Sequence, residues 1–568
     1  MFYSLHAAIW PHSAIENRLV KKLNENKIET VYVSCGATFP SHCTSYSGRC
    51  VRLNSPQNIK NSVCRECMEN AEILVRASGA RHLKLRHYVS SNDEKKIDSI
   101  IKTVTKKNCH DIKYLGVNVS RATYYECLLE YKQMSLKFKD EAWMWYITYL
   151  RNSLQSLIGF SKILKAERPD ILLFYSPQYG VNGVCAEYAL KHGTKVYFVE
   201  GSSSNSERYK ALRIWDWKIH GLVNPALSYW PSMKKQVRYG DVNRLLGHFQ
   251  ELFQANSFAV YSSPKKENFD IRKAFNIPTG AKILLATLSS FDEAYAAFVI
   301  KKFPRRKVFS RVYKNQFEWI KDTIEYIKKK QNTYLIIRVH PRDFPNKREI
   351  IKAQQAELWK IMLDNLPENI RVNWPEEEIS LYNLLQDIDG LVTGWSATGL
   401  EALVMGIPLV TYDKNLPSFP PDIHFSGSTR KQYYKNLEKM LKIKKSFKIA
   451  KNAIRWLAFN FSVGTIQFEP LLKEESIYLK SPSIPKFLRN TINKIIKILK
   501  IKHEARGDFY SEQDTRRFLY LCKNKSKDLF ENYIMSPCIQ KANKNTVNVA
   551  SKNLYKSLLD QLAKTSEK

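Results

Sequence analysis

The sequence predicts an α/β fold in which two Rossmann-like domains face each other across a cleft, followed by a basic helical tail. Its 568 residues exceed what one hydrophobic core organises, so we expect more than one domain. Short apolar segments with strand character alternate with amphipathic helical segments, which is typical of parallel sheets covered by helices. This alternation stops near residue 474, where the chain becomes polar and rich in lysine.

The first half of the chain carries the strand–helix rhythm twice. FYSLHAAIW predicts a strand, ENRLVKKLNEN a helix and ETVYVSC the next strand. DILLFY and KVYFVEG repeat the pattern on either side of a helical segment. We therefore assign residues 1–255 to an N-terminal Rossmann-like domain.

The second half repeats the rhythm. KILLATLSS, TYLIIRVHP, DGLVTG and IPLVTYD predict strands, and FEWIKDTIEYIKKK and SATGLEALVMG predict helices. We assign residues 275–470 to a C-terminal Rossmann-like domain and the polar segment Ser262–Gly280 to the linker. Ligands of such sheets bind at the carboxyl ends of the strands, so the cleft is the expected site.

The net charge is strongly positive, because 90 Lys and Arg residues outnumber 54 acidic ones and give +36. Such a chain attracts nucleic acid, anionic membranes or phosphorylated small molecules. A lysine-rich genome produces the same bias without a function. A nucleic-acid-binding protein is the alternative from another class of function. The charge is spread along the chain and densest in the tail, and no nucleic-acid-binding motif is present, so we expect no nucleic acid partner.

The segment YLIIRVHPRD predicts a buried strand that ends in a cation, an imidazole and a proline. Arg338 and His340 are candidate donors to a phosphate or pyrophosphate. Pro341 fixes the turn. The alternative is a purely structural histidine at a strand end.

The segment TGWSATGLEALVMG predicts a second phosphate-facing turn. Ser396 and Thr398 are candidate helix caps, and Thr398 and Glu401 have the spacing of a capping box. Gly399 permits close approach of a ligand to the backbone, and a helix N-terminus favours an anion. An ordinary capped helix is the alternative. Both turns leave strands of the same domain, so we expect them at the same edge of the cleft.

These segments resemble bacterial capsule and lipopolysaccharide glycosyltransferases of the GT-B architecture, in the group that includes Kdo transferases. The resemblance rests on IRVHPRD, on TGWSATGLEALVMGIPLVTYD and on LLATLSSFDEAY followed by FEWIKDTIEYI, and it covers roughly residues 1–470. It implies a nucleotide-sugar donor, with a CMP-linked sugar as first choice, held by His340, Pro341, Ser396 and Thr398. The group commonly has a Ser-Ser pair where this chain has Ser-Ala-Thr.

The same resemblance implies an acceptor that is a surface polysaccharide or a lipid-linked precursor. Polyol-phosphate transferases of the teichoic-acid type, which use CDP-glycerol, share a similar His-Pro turn and are the alternative within enzymes.

Glycosyl transfer with inversion needs a base near the acceptor hydroxyl and positive groups for the leaving phosphate. Glu200, at the end of KVYFVEG, is the first candidate base and Asp216 the second. Asp292 follows KILLATLSS, where the resemblance also implies an acidic residue. The alternative for Glu200 is a cap on the next turn. No cofactor is expected for catalysis.

Five cysteines cluster early in the chain, and two of them form the C-x-x-C knuckle CREC. Cys35, Cys43, Cys64 and Cys67 are candidate ligands of a tetrahedral structural zinc. Reduced thiols or an iron–sulfur cluster are the alternatives.

The tail, residues 474–568, contains an amphipathic basic segment over 481–502. Such a segment predicts either contact with an anionic membrane surface or docking on the protein itself. The sequence shows no apolar run of roughly 20 residues and no signal peptide. We therefore expect a cytoplasmic protein, peripheral to the inner face of the cytoplasmic membrane.

Overall fold

The structure is a computed structural model, and it describes residues 1–468 and 544–563. Gaps in that description fall at 177, 217–223, 225, 234–236, 238, 257–259, 347–348 and 463.

The strands of the described residues are, in chain order, β1 (Phe2–Tyr3), β2 (Val31–Ser34), β3 (Arg81–Lys84), β4 (Lys113–Tyr114), β5 (Val117–Asn118), β6 (Ile171–Tyr175), β7 (Lys195–Gly201), β8 (Ala211–Asp216), β9 (Lys282–Thr287), β10 (Thr333–Arg338), β11 (Ile370–Asn373), β12 (Gly390–Thr393), β13 (Leu409–Thr411), β14 (Phe425–Ser426) and β15 (Thr465–Gln467).

The helices of the same residues are α1 (Trp10–Glu25), α2 (Thr44–Gly48), α3 (Gln57–Ser78), α4 (Ser91–Thr103), α5 (Val119–Glu130), α6 (Asp140–Glu167), α7 (Gly180–Lys191), α8 (Ala226–Met233), α9 (Tyr239–Asn243), α10 (Leu245–Gln254), α11 (Ile271–Ala274), α12 (Phe291–Val299), α13 (Gln316–Ile327), α14 (Gln354–Met362), α15 (Leu381–Asp387), α16 (Thr398–Val404), α17 (Arg430–Leu441), α18 (Phe447–Ser462) and α19 (Lys544–Ala563).

The first sheet has the strand order β15-β8-β7-β6-β1-β2-β3. Strands β7, β6, β1, β2 and β3 run parallel, whereas β8 is antiparallel to β7 and to β15. Its central strands are apolar on both faces, as expected for a sheet covered on both sides. Phe2 of β1 packs into one buried cluster and Tyr3 into another, on opposite faces of the sheet.

The second sheet has the order β11-β10-β9-β12-β13-β14, and all its pairs are parallel. Leu285 of β9 packs into one buried cluster and Leu284 into another, again on opposite faces. Two sheets of mainly parallel strands, each connected through helices, confirm the predicted α/β fold with two Rossmann-like units.

The chain returns to the first unit near its end. The predicted boundary at residue 470 assigns β15 to the second domain, but β15 pairs with β8 in the first sheet. α19 packs on the folded part through Val547, Ala550, Leu554 and Leu558. The amphipathic segment 481–502 lies outside the described residues. None of the described helices has both the length and the apolar character needed to cross a bilayer.

Candidate functional site

A cleft of about 1010 Å³ lies between the two units, where the carboxyl ends of their strands meet. From the first unit, His12 follows β1 and Tyr175 ends β6. From the second unit, Glu293 follows β9 and Arg342 follows β10. The predicted position of the site is therefore a real cavity, although none of the predicted site residues is among those that line it.

A buried ionic network joins the two units beside the cleft. Arg342 Nη2 lies 2.8 Å from Asp292 Oδ2, and Arg342 Nη1 donates to Glu349. From the first unit, Lys132 Nζ lies 3.2 Å from Glu349 Oε2 and also donates to the carbonyl of Arg342. The side chains of Lys132 and Arg342 are 1% and 4% exposed, so solvent screens these contacts little.

Asp292 therefore lies inside this network and not on the cleft wall. It is fully buried and bound by Arg342 and by the hydroxyl of Ser290. A carboxylate so paired is an internal counter-ion. The candidate catalytic role of Asp292 does not fit this position.

The guanidinium of Arg338 is also hydrogen-bonded to groups inside the protein. Its guanidinium donates to Asn373 Oδ1 and to the carbonyl of Ile379, 2.9 Å away, and the residue is 9% exposed. Burial lowers its pKa to about 10, which leaves it charged at neutral pH. These bonds tie the end of β10 to the end of β11, and they leave the predicted phosphate contact without a basis in the structure.

His340 keeps one free donor. Its Nδ1 accepts a hydrogen bond from the backbone N–H of Arg342 at 3.1 Å and so caps the 3-10 helix that Pro341 begins. Burial lowers the pKa of His340 to about 3, so the ring is neutral and its proton is on Nε2. Within the described residues, Nε2 has no hydrogen-bond partner.

The turn after β12 differs from its prediction in two respects. Thr398 and Glu401 form no capping box, because the carboxylate of Glu401 accepts from Tyr382 Oη at 2.9 Å. A Cβ on Gly399 would lie 3.0 Å from Leu409 Cδ2, so a larger residue here would crowd the packing of α16 against β13.

Ser396 and Thr398 do lie at the start of α16. Ser396 Oγ donates to Thr398 Oγ1 at 3.0 Å and accepts from Thr398 N at 3.3 Å. Both residues are partly exposed. Since β9 lies between β10 and β12, the loops that carry His340 and Ser396 are separated by two strand spacings, about 10 Å.

Glu200 lies at the carboxyl end of β7 with a 34% exposed side chain. Its Oε1 accepts from Trp215 Nε1 at 3.1 Å and lies 3.8 Å from Arg213 Nη1. Burial raises the pKa of Glu200, against the opposing charge of Arg213. This carboxylate is held in place and accessible, as a base requires.

Asp216 is at the opposite end of the same strand pair. Because β8 runs antiparallel to β7, Asp216 pairs with Tyr197, three residues before Glu200. That places Asp216 about 10 Å further from the cleft edge. Asp216, the second candidate base, is therefore less well placed than Glu200.

The residues of the first unit that line the cleft and were not predicted from the sequence include His12, Glu126 and Arg208. Glu126 is 7% exposed; its Oε1 accepts from Gly180 N at 2.9 Å and its Oε2 has no partner among the described residues. Burial raises the pKa of Glu126 to about 8. His12 lies in the first turn of α1, the helix that follows β1, and this position after the first strand is the signal that could have identified it.

The four cysteines proposed as zinc ligands line one small cavity of about 20 Å³. In the described part of the chain, however, no three Cys, His, Asp or Glu side chains are arranged to hold a metal ion. Burial raises the pKa of Cys35 to about 12 and that of Cys43 well above its ordinary value, which favours protonated thiols. The zinc hypothesis stays a prediction for metal analysis of the purified protein.

No protein-family model matches the chain, and no curated protein matches it either. Solved structures with partial overlap include the β-Kdo 2,7 transferase of Thermosulfurimonas dismutans KpsC, with 16% identity, a TM-score of 0.30, and coverage of 54% of this chain and 82% of that one. The Staphylococcus aureus MnaA–UDP structure has 11% identity and a TM-score of 0.28, over 82% and 92% of the two chains. UDP-GlcNAc 2-epimerase of Methanocaldococcus jannaschii has 18% identity and a TM-score of 0.25, over 54% and 79%. Overlap at this level establishes no activity, and the fold assignment rests on the sheet topology.

Proposed function

We propose that this protein is a glycosyltransferase that moves a sugar from a nucleotide-sugar donor to a surface polysaccharide or lipid-linked acceptor. The observation that carries the proposal is the cleft between the carboxyl ends of two mainly parallel sheets, the usual ligand position in such folds. The strand ends on its two sides carry different chemistry, an accessible carboxylate at Glu200 and an imidazole N–H at His340, although neither side chain is among the residues that line the cavity.

The second unit is the proposed donor side. His340 Nε2–H would donate to a phosphate oxygen of the nucleotide, with the hydroxyls of Ser396 and Thr398 on the other side of β9. A neutral imidazole suits this role because it donates without needing a proton from solvent. The sequence resemblance makes a CMP-linked sugar the first choice, and CDP-glycerol remains the alternative.

The first unit is the proposed acceptor side, with Glu200 as general base. Glu200 would accept the proton of the acceptor hydroxyl while that oxygen bonds to the anomeric carbon. The bond between this carbon and the phosphate oxygen breaks, and its electron pair leaves on the nucleotide. The raised pKa of Glu200 makes it a better base than an ordinary carboxylate at neutral pH.

Thermal unfolding with CMP, CDP, UDP, GDP and TDP tests the proposed nucleotide site. One nucleotide is expected to raise the melting temperature of the wild-type protein. His340→Asn retains an acceptor at the position of Nδ1 but lacks the Nε2–H. It should therefore fold normally and lose that stabilisation, whereas Glu200→Gln should keep it. A wild-type protein that none of the five nucleotides stabilises would refute the proposal.

A further inference from the structure

Two arginines of the cleft wall, Arg65 and Arg208, have no hydrogen-bond or ion-pair partner among the described residues, and of the two only Arg208 is partly buried. Arg49 pairs with Glu66, and Arg342 pairs with Asp292 and Glu349. The guanidinium of Arg208, in contrast, makes no hydrogen bond or ion pair within the described residues, although the residue is only partly exposed and lines the cleft. Arg208 interacts electrostatically with Glu200 but makes no direct bond to it, so its N–H groups are available to a ligand.

The loop that carries Arg208 is hydrogen-bonded on both sides of this residue to other segments of the chain. The backbone N–H of Asn205 donates to His248 Nδ1 at 3.0 Å, and Phe468 N donates to the carbonyl of Lys210 at 2.9 Å. A Cβ at Gly201 would lie 2.5 Å from the Arg208 carbonyl oxygen, so only glycine allows this approach. Arg208 is thus fixed beside the end of β7 and near Glu200.

Arg208 faces an aromatic wall with a neutral histidine. The ring of His12 lies 5.2 Å from that of Tyr175 and 5.5 Å from that of Tyr209. Burial, together with the charges of His6 and Arg208, lowers the pKa of His12 to about 3. Its ring nitrogens have no hydrogen-bond partner in the described part of the chain, so a neutral His12 offers one N–H to the cleft.

None of the carboxylates that line the cleft makes a direct ion pair with Arg208 within the described residues, and the one carboxylic acid whose pKa its charge lowers is Glu200, outside the cavity lining. Glu66 and Glu130 are paired with arginines. Glu293 lies 3.8 Å from Arg342. Burial raises the pKa of Glu126 to about 8, which keeps it largely protonated at neutral pH, and Glu69 is exposed on α3.

We infer that Arg208 and His12 form a subsite for an oxyanion, a carboxylate or a phosphate, carried by a sugar substrate. The planar guanidinium binds such a group through two parallel N–H bonds, and His12 adds a third donor. The rings of Tyr175 and Tyr209 provide apolar surface for the sugar ring. The inference rests on the proposed function and adds that the sugar bound next to Glu200 is an acidic one.

Calorimetric titration of the full chain with D-glucuronate, glucose 6-phosphate and glucose tests this subsite. Wild type is expected to bind at least one of the two anionic sugars tenfold or more tightly than glucose, and the preferred one identifies carboxylate or phosphate. Arg208→Gln should lose that preference. Lys210→Gln, which removes the same charge from an exposed position of the same loop, should retain it.

Two further measurements distinguish a failure of this subsite from a failure of the proposed glycosyltransferase function. Arg208→Gln should still be stabilised by whichever nucleotide stabilises wild type, which also shows that the variant is folded. Arg208→Lys keeps the positive charge but lacks the two parallel N–H groups of the guanidinium. It should recover only part of the preference for the anionic sugar over glucose. The subsite is refuted if wild type prefers neither anionic sugar over glucose, or if Arg208→Gln keeps the wild-type preference. Absence of any nucleotide effect in wild type counts instead against the proposed donor site.

Discussion

The loops after β10 and β7 occupy matching places at the carboxyl ends of the two sheets, yet they use their arginines in different ways. After β10, Arg338 and Arg342 are both bound to internal acceptors, and the group left free is the Nε2–H of His340. In the hairpin of β7 and β8, Arg213 donates to Ser203, and Arg208 makes no hydrogen bond or ion pair with the residues that the structure describes.

The difference shows that the number of charges in a loop does not identify a binding group. A charged side chain that is buried without a counter-ion carries an unfavourable desolvation energy, so folding pairs it wherever a partner is within reach. A candidate ligand-binding group is one that remains unpaired, or neutral with a free donor, after the internal pairs have formed. His340 and Arg208 satisfy this condition, whereas Arg338 does not.

The largest expected effect is the loss of stability on Arg342→Gln. Removing one member of a buried ionic network costs about 3–5 kcal/mol, because Asp292 would remain charged and buried. At about 2–4 °C per kcal/mol, the melting temperature should fall by roughly 10 °C. Arg306→Gln, at an exposed position, is the control and should change it little. An Arg342→Gln protein as stable as the control would mean that the network does not hold the two units together.

A smaller loss of folding stability is expected for Arg338→Met. The change leaves Asn373 Oδ1 and the Ile379 carbonyl without their donor, at a cost of about 1.5–3 kcal/mol. The melting temperature without nucleotide should fall, while the stabilisation by nucleotide should persist. If Arg338 is a phosphate ligand after all, the reverse pattern will appear: unchanged stability and loss of the nucleotide effect.

The fold was predictable because each strand and helix is indicated by the pattern of apolar and polar residues within its own segment. KVYFVEG is the strand Lys195–Gly201 in the structure, and DILLFY predicts the strand Ile171–Tyr175 to within one residue. TYLIIRVHP begins at the first residue of its strand and runs three residues past its end at Arg338. Apolar strands alternating with helices leave few arrangements besides parallel sheets. The return of β15 to the first sheet was not predictable. Its partner β8 lies more than 200 residues earlier, and the three residues of β15 carry no sequence pattern that identifies this partner.

The candidate site was predictable in place but only partly in residues. The sequence located the strand ends, and hence the cleft. It gave no information on pairing: whether Arg338 meets Asn373, whether Asp292 meets Arg342, or that β8 runs antiparallel and carries Asp216 to the other edge. Each of these depends on contacts between segments far apart in the chain.

A third effect, expected mainly in the binding of anionic sugars, concerns Gly201. In Gly201→Ala the new methyl group would lie 2.5 Å from the Arg208 carbonyl oxygen, so the loop must shift. Anionic-sugar binding should weaken as in Arg208→Gln, with a stability loss of about 1–3 kcal/mol. Lys210→Ala is the matched change in the same loop. Wild-type binding by Gly201→Ala would show that the position of Arg208 is not set by this contact.

The smallest effect is a pH-dependent one at Glu126, the buried carboxyl of the first unit. An unfolded glutamate titrates near 4.3, whereas burial raises the pKa of Glu126 to about 8 in the folded protein. Between these values the folded state retains a proton that the unfolded state has lost, so the stabilising contribution of this proton declines as the pH rises and is gone above about pH 8. Glu126→Gln keeps a neutral group in the same place at every pH, with an oxygen to accept from Gly180.

The free energies of unfolding of Glu126→Gln and wild type should therefore be compared in urea at pH 5, 6, 7 and 8. The variant should gain stability relative to wild type as the pH rises, by up to about 1.4 kcal/mol per pH unit. Glu167→Gln serves as control, because the hydrogen bond from Arg81 lowers the pKa of Glu167 and moves its titration below this window. Its difference from wild type should be constant from pH 5 to 8. A constant difference for Glu126→Gln as well would mean that this carboxyl is ionised in the folded protein, and that the cleft wall beside Arg208 carries a compensating negative charge.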